Sequence, residues 1–248
     1  MKAVILCAGY GTRMEPYTKE YQKVMIPLHG KPILEYLIQS IKEAGIQDFV
    51  IVIGYRKGQI MDYFKEGKNM GIHIEYVYQN NLNGTGGALL LCEPLIKENF
   101  FFLTWGDTLV SPKIYEKVIK MRDEENERFV LVANFVHDPF RGAAIYLDGN
   151  YCKNIIEKPE KGTSSTNLNN AGIFILNNQV FNILKKQKPS KRGEIEVPET
   201  IAFGIKHLNW KFRVIQMKKN EFYADFGDKE CFEKLKTDTS WLDLFQEF

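Results

Sequence analysis

In the stretch LCAGYGTRM, residues 6 to 14, two glycines, a hydroxyl and a cation follow the apolar run Ala3, Val4, Ile5. Glycines let a backbone come close to an anion, Thr12 offers a hydroxyl, and Arg13 offers a planar fork of donors matched to phosphate oxygens. A strand that breaks into such a turn is a candidate phosphate-binding loop. Two nucleotide-binding patterns fail on it: GxGxxG requires a third glycine where Met14 stands, and the Walker pattern requires a Gly-Lys-Ser/Thr triplet that is absent. Taken alone, the fragment also fits a tight glycine turn with a solvated arginine. Other chemistry-bearing residue types are dispersed. His29, His73, His137 and His207 are isolated, which suits surface or packing roles. Cys7, Cys92, Cys152 and Cys231 form no CxxC pair, which argues against zinc and for reduced, buried thiols in a cytoplasmic setting.

The elements that must position this loop are legible as alternating runs. Apolar segments at 3–6, 49–54, 74–79, 100–107 and 129–136 read as strands. Helix-period stretches separate the first four, notably 32–45, with Pro32 near its start and Gly45 at its end, and 84–96. Strand and helix in alternation predict βαβ units, a mainly parallel sheet and helices on both faces, with ligands at the carboxyl ends of the strands. After HDPFRG the texture changes. AAIYLD, NYCKNIIEKP, AGIFIL and FRVIQM read as strands or hairpin pieces, 160–170 as a polar surface loop, and GDKECFEKLKTDTSWLDLF as a helical close. One α/β domain over 1–248 is expected, with a lid-like second half.

The totals set limits. Among 248 residues, 44% are hydrophobic and 26% charged, with a net charge of +2, so a full core is affordable and no general attraction to nucleic acid or anionic membrane exists. The N-terminal MKAVIL is too short for a signal-peptide core, and no segment has the length to span a bilayer.

From residue 9 to 34, GYGTRMEPYTKEYQKVMIPLHGKPIL resembles the signature of the sugar-phosphate nucleotidyltransferases, GxGTRxxPxTxxxxKxxxPxxxKP. The glycines, Thr12, Arg13, Pro16, Thr18, Lys23, Pro27, Lys31 and Pro32 fall in register. Many members carry proline where Gln22 stands, a difference expected to affect loop stiffness more than chemistry. YQNNLNGTGGALLL resembles the base-recognition segment, TWGDTLV the strand ending in a metal-binding aspartate, and RGAAIYLD with NIIEKP the sugar-binding hairpins. NNAGIFIL, RGEIEVPETI and YADFGD also match in order, the last with Tyr223 and Asp228 where many members have Trp and Thr. Coverage runs to about residue 230.

The resemblance implies a Rossmann-like, mainly parallel mixed sheet of the GT-A-like kind with a small sugar-binding β subregion. Residues 1–135 would mainly bind the triphosphate and 136–230 the sugar phosphate, with a C-terminal helix over 231–248. The implied reaction joins a nucleoside triphosphate to a sugar 1-phosphate and releases pyrophosphate, with Mg²⁺ as cofactor. Arg13 would clamp the β and γ phosphates, Lys23 would reach the α-phosphate, and Lys158 would hold the sugar phosphate. Leu6, Ala8, Gly9, Gly11, Thr12, Arg13, Gln79, Gly84, Thr85 and Asp107 would line the nucleotide site. Gly142, Glu157, Asn170 and Gly172 would join Lys158 at the sugar. Asp107 and Asp225 would hold the metal, since Mg²⁺ takes one or two carboxylates plus substrate oxygens and waters. Glu194 and Glu196 are given no role.

Within this class the base stays open, NGTGGAL resembling segments of guanosine- and uridine-using members more than the thymidine type. A phosphocholine-type cytidylyltransferase and a catalytically silent, nucleotide-sugar-binding regulatory homologue are the alternatives. Retention of Arg13, Lys23, Asp107, Lys158 and Asp225 speaks against the silent one. A GT-A glycosyltransferase would require a DxD motif where WGDTLV has one aspartate. No membrane or nucleic-acid partner is expected, a homo-oligomer is compatible with the fold, and no appended left-handed β-helix or acetyltransferase activity is expected.

Overall fold

The computed structural model describes residues 1–245. In chain order it runs β1 (Lys2–Cys7), β2 (Pro27–Leu28), β3 (Lys31–Pro32), α1 (Ile33–Glu43), β4 (Asp48–Ile53), α2 (Lys57–Phe64), β5 (His73–Tyr78) and α3 (Thr85–Leu90). It continues through β6 (Phe100–Trp105), β7 (Thr108–Val110), α4 (Pro112–Asp123), β8 (Phe129–Phe135), β9 (Ala143–Asp148), β10 (Tyr151–Glu157) and β11 (Leu168–Asn177). The last elements are α5 (Val180–Leu184), α6 (Val197–Leu208), β12 (Phe212–Gln216), β13 (Tyr223–Asp225) and α7 (Lys229–Thr237). Two compact units result: one from residues 1–82, 104–117 and the chain from Glu221 on, the other from residues 83–103 and 118–220.

The first unit is a parallel α/β layer. β1 pairs with β4 from Lys2↔Asp48 to Cys7↔Ile53, and β4 pairs with β5 in the same sense. Strands covered on both faces read as continuous apolar runs, and Ala3, Val4, Ile5 and Phe49 to Ile53 are almost wholly buried. The crossover helix α1 follows from its pattern: Ile33, Leu34, Leu37, Ile38 and Ile41 fall on one stripe and are all buried. Pro32 is its N-cap with no side-chain bond to offer, and Gly45, at φ 103, closes the end by donating its N–H to Lys42 O at 2.8 Å. Fully burying one of these leucines is worth about 1.5–3 kcal/mol, and Leu37→Ala would cost about 2–5 kcal/mol.

α7 packs back on the same unit through rings. Tyr17 meets Phe232 edge-on at 5.0 Å, and Trp241 lies among Tyr36, Phe222 and Phe245. His29 belongs to this packing, its ring nitrogen 2.8 Å from Leu235 O. The closing helix therefore begins at Lys229 and ends at Thr237, a 3-10 turn covers Leu242–Phe245, and the part of the expected helix over 246–248 lies outside the described residues.

The second unit is mixed. β11 runs antiparallel to β8, β12 parallel to β8, and β10 antiparallel to both β12 and β9. β9 also meets β11 at Asn169↔Ala144, so these five strands curl back on themselves. One segment differs from the sequence expectation, and one helix lies where no element is expected. The polar loop gives way to β11 already at Leu168, and all ten residues of that strand are buried, its asparagines included. VPETIAFGIKHL forms helix α6, where Val197, Ile201 and Gly204 sit inward at i, i+4 and i+7. Pro198 lies in its first turn, where a missing N–H removes no intrahelical bond.

All four cysteines are free. Among the described residues no helix is long and apolar enough to cross a membrane.

Candidate active site

At the end of β1 the chain turns through residues 8–11 into three successive 3-10 turns, Thr12–Met14, Tyr17–Lys19 and Lys23–Met25. Gly11 requires its residue type twice over. Its φ is 67, and a methyl group there would lie 2.9 Å from Lys23 Cβ and 3.0 Å from Thr18 Cγ2. The Thr18 hydroxyl donates to Gly11 O at 3.2 Å, so the loop is folded upon itself and delivers Lys23 to its floor. Ala8 is buried, while Gly9, Thr12 and Arg13 face solvent.

Two acids come to the same place by a different route. Gly106 N–H donates to Leu6 O at 3.0 Å, which seats Asp107 beside the end of β1. β13 then pairs antiparallel with β7 in the register Asp225↔Thr108, and Phe226 N–H donates to Asp107 O at 2.8 Å. This two-stranded ribbon sets Asp225 next to Asp107. Lys23 Nζ hydrogen-bonds Asp107 Oδ2, with 16% and 21% of the two side chains exposed. Arg13 closes the group: a methyl group on Gly227 would sit 2.8 Å from Asp225 Oδ1 and 2.9 Å from Arg13 Nη2. The Gly227 N–H donates to Asp225 Oδ1 at 2.7 Å.

The electrostatics separate the two acids. Burial pushes Asp107 up, but the Lys23 ammonium beside it, with Arg13 farther off, more than offsets this and holds the carboxyl below its ordinary value. Asp225 goes the other way, raised by burial and then by the neighbouring Asp107 carboxylate, with Gly227, Lys23 and Arg13 opposing. Two carboxylates this close, partly desolvated, disfavour each other's ionisation, and a divalent cation between them would remove that conflict. No group of three or more His, Cys, Asp or Glu side chains able to hold a metal occurs among the described residues, so any cation here would take its remaining ligands from substrate oxygens and water. Gln79 is buried at the end of β5 and donates its N–H to Ile53 O at 2.9 Å.

The second unit gathers the other sequence-predicted residues. β10 ends at Glu157, and Lys158 adopts φ 42, an uncommon backbone for a residue with a side chain. Its N–H donates to Gly142 O at 2.7 Å, which ties the two hairpin ends together, and its ammonium lies 4.0 Å from Glu157. Glu157 is pushed up to about 7 by burial and then by the Glu196 carboxylate, against the pull of Lys158 and Arg192. Asn170 Oδ1 accepts from Gly172 N–H at 2.9 Å within an irregular stretch of β11, so its side chain shapes the strand locally. The Thr85 hydroxyl accepts from Val197 N–H at 3.1 Å, and a side chain on Gly84 would strike Ile195 O. The glycine-rich start of α3 thus packs closely against the 194–197 segment.

Sequence reasoning gave Glu196 no role and did not single out Arg192. Arg192 Nη2 hydrogen-bonds both oxygens of Glu196, whose side chain is 5% exposed, and lies 3.9 Å from Glu157. The RGEIE spacing, which puts an arginine and a glutamate four apart, carried that signal. Gln22 was read as a matter of loop stiffness, yet it is 1% exposed and fully hydrogen-bonded.

The sequence model described as nucleotidyl transferase matches residues 2–244. The chain is 37% identical over 232 residues to the bifunctional protein GlmU of Methanococcus maripaludis, covering 92% of this chain and 51% of that protein. It therefore spans about half the length of the GlmU relatives that it matches. It is 31% identical over 208 residues to the UTP–glucose-1-phosphate uridylyltransferase AglF of Haloferax volcanii, covering 83% of this chain and 84% of that one. A solved UDP-glucose pyrophosphorylase in complex with UDP-glucose superposes with a TM-score of 0.84 at 26% identity, covering 95% of this chain and 97% of the other. With a family model that matches residues 2–244 and relatives that match along nearly its whole length, the chain belongs to the nucleotidyl transferase family.

Proposed function

We propose that the protein transfers a nucleotidyl group from a nucleoside triphosphate to a sugar 1-phosphate. The observation that carries this is the convergence of Arg13, Lys23, Asp107 and Asp225 at the carboxyl end of β1. A phosphate oxygen of the sugar phosphate attacks the α-phosphorus in line, the bond from α-phosphorus to the β-bridging oxygen breaks, and pyrophosphate leaves. No protein nucleophile is required, so the side chains must position two polyanions and neutralise charge. Lys23 supplies positive charge at the α-phosphate, and Arg13 with the loop amides holds the β and γ phosphates. Asp107 and Asp225 would hold Mg²⁺, which when bound screens the approaching phosphates from one another.

Lys158, with its strained backbone and half-exposed ammonium, would take the sugar phosphate, and Glu157 would accept a hydrogen bond from a sugar hydroxyl. Gly142, tied to Lys158, and Asn170 with Gly172 in the irregular stretch of β11 would line the same subsite, whereas Gln79, Gly84 and Thr85 would meet the base. The names of the uridylyltransferase and pyrophosphorylase relatives support UTP as the nucleotide and glucose 1-phosphate as the acceptor to test first. The test is a panel of the common triphosphates against sugar 1-phosphates with Mg²⁺, read as pyrophosphate release. Turnover with one preferred pair supports the proposal, and silence across the panel refutes it.

A further inference from the structure

Gln22 lies directly before Lys23, and every polar atom of its side chain is engaged. Nε2 donates to Cys7 O at 2.6 Å, and Oε1 accepts from Val24 N–H at 2.6 Å. Its backbone N–H donates to Gln59 Oε1 at 2.6 Å, and Gln59 Nε2 donates in turn to Glu20 O at 2.7 Å. Cys7 is the last residue of β1, and Gly106 is packed so tightly beside it that a methyl group there would lie 2.4 Å from Cys7 Sγ. One buried amide therefore joins the strand end against which Asp107 is seated to the turn that begins with Lys23. The backbone of Gln22, at φ −64 and ψ 140, matches the φ that a proline ring would impose. Where a proline fixes this corner by covalent geometry, here the side chain fixes it by capping the following turn and anchoring it to β1.

We propose that Gln22 is a positioning residue for Lys23, holding the ammonium on Asp107 and so on the α-phosphate. This rests on the role given to Lys23 above. A buried glutamine could also serve stability alone, and three measurements on the whole chain separate the two. Gln22→Met keeps the side-chain volume while removing both hydrogen bonds. The first measurement is steady-state pyrophosphate release. The second is the rate at which acetic anhydride acylates Lys23, followed by peptide mass spectrometry, with Lys31 as an internal control, and this requires no turnover. The third is the thermal unfolding midpoint.

Expected for Gln22→Met is a fall in kcat of roughly 10- to 100-fold, the scale of a misplaced catalytic group, with the KM for the triphosphate changed far less. Lys23 acylation should accelerate severalfold while Lys31 acylation stays as in the parent. Parent-like kcat together with parent-like Lys23 acylation would overturn the proposal, as would equal acceleration at Lys23 and Lys31, which marks general loosening. If the unmodified chain releases no pyrophosphate from any substrate pair, the enzymatic reading fails by itself, and the acylation rates still decide whether Gln22 positions Lys23.

Discussion

Glu157→Gln should make the protein more stable while impairing it. In the folded chain Glu157 has its carboxyl raised from 4.5 to about 7, first by burial and then by Glu196. The folded state thus holds this proton more tightly than the unfolded one, so between pH 4.5 and 7 stability falls as pH rises, and above 7 the full penalty is present. Each tenfold change in proton affinity is worth about 1.4 kcal/mol, so the full penalty is between about 3 and 4 kcal/mol before any of it is shared with Glu196. Only 13% of the side chain is exposed, which leaves little solvent screening, but Glu196 shares the same field and part of the cost will pass to it. A neutral glutamine should therefore gain about 2–3 kcal/mol at pH 9 and little at pH 4.5. Urea unfolding of both proteins at half-unit steps from pH 4.5 to 9 reads the difference directly. A difference that is flat with pH, or a variant less stable than its parent at pH 9, would refute the reasoning. In the same preparation, the KM for the sugar phosphate should rise if Glu157 accepts a hydroxyl as an anion.

Asp107→Asn and Lys23→Ala should each cost about 10²-fold or more in pyrophosphate release with an unchanged circular dichroism spectrum, and full turnover in either would remove that residue from the reaction. Chelation by EDTA should abolish turnover and added Mg²⁺ restore it, and Asp225→Asn should shift the Mg²⁺ titration to higher concentration, which activity against free Mg²⁺ measures. Arg192→Ala should destabilise the chain by about 1–3 kcal/mol in urea, because it leaves the nearly buried Glu196 carboxylate without its cation, and Arg192→Ala combined with Glu196→Gln should recover part of that loss.

The parallel half of the fold was legible because strands buried on both faces announce themselves as apolar runs, and α1 because its stripe is five residues deep. Arg13 and Lys23 are expected to meet Asp107 and Asp225 only through the family resemblance, the cations from its signature and the acids from two separate matching segments. That the two acids are neighbours is a fact of the β7–β13 register, which no local pattern encodes. Helix α6 carries no reading in the sequence, where its segment stands only as part of a family match. The RGEIE spacing signals an Arg192–Glu196 pair but not its enclosure, and the Gln22 hydrogen bonds leave no sequence signal, because such side chains are by default solvated and only packing reveals which are enclosed.

The ribbon of β7 with β13 has a consequence for synthesis. Asp107 leaves the ribosome early, yet its partner strand is not made until Tyr223 to Asp225 have emerged. Every nascent intermediate that includes Asp107 but stops short of Asp225 carries the loop and both basic side chains without the second acid. Whatever part of the sheet has formed by then, the pair of acids is assembled only when Asp225 has been added and β13 has found β7.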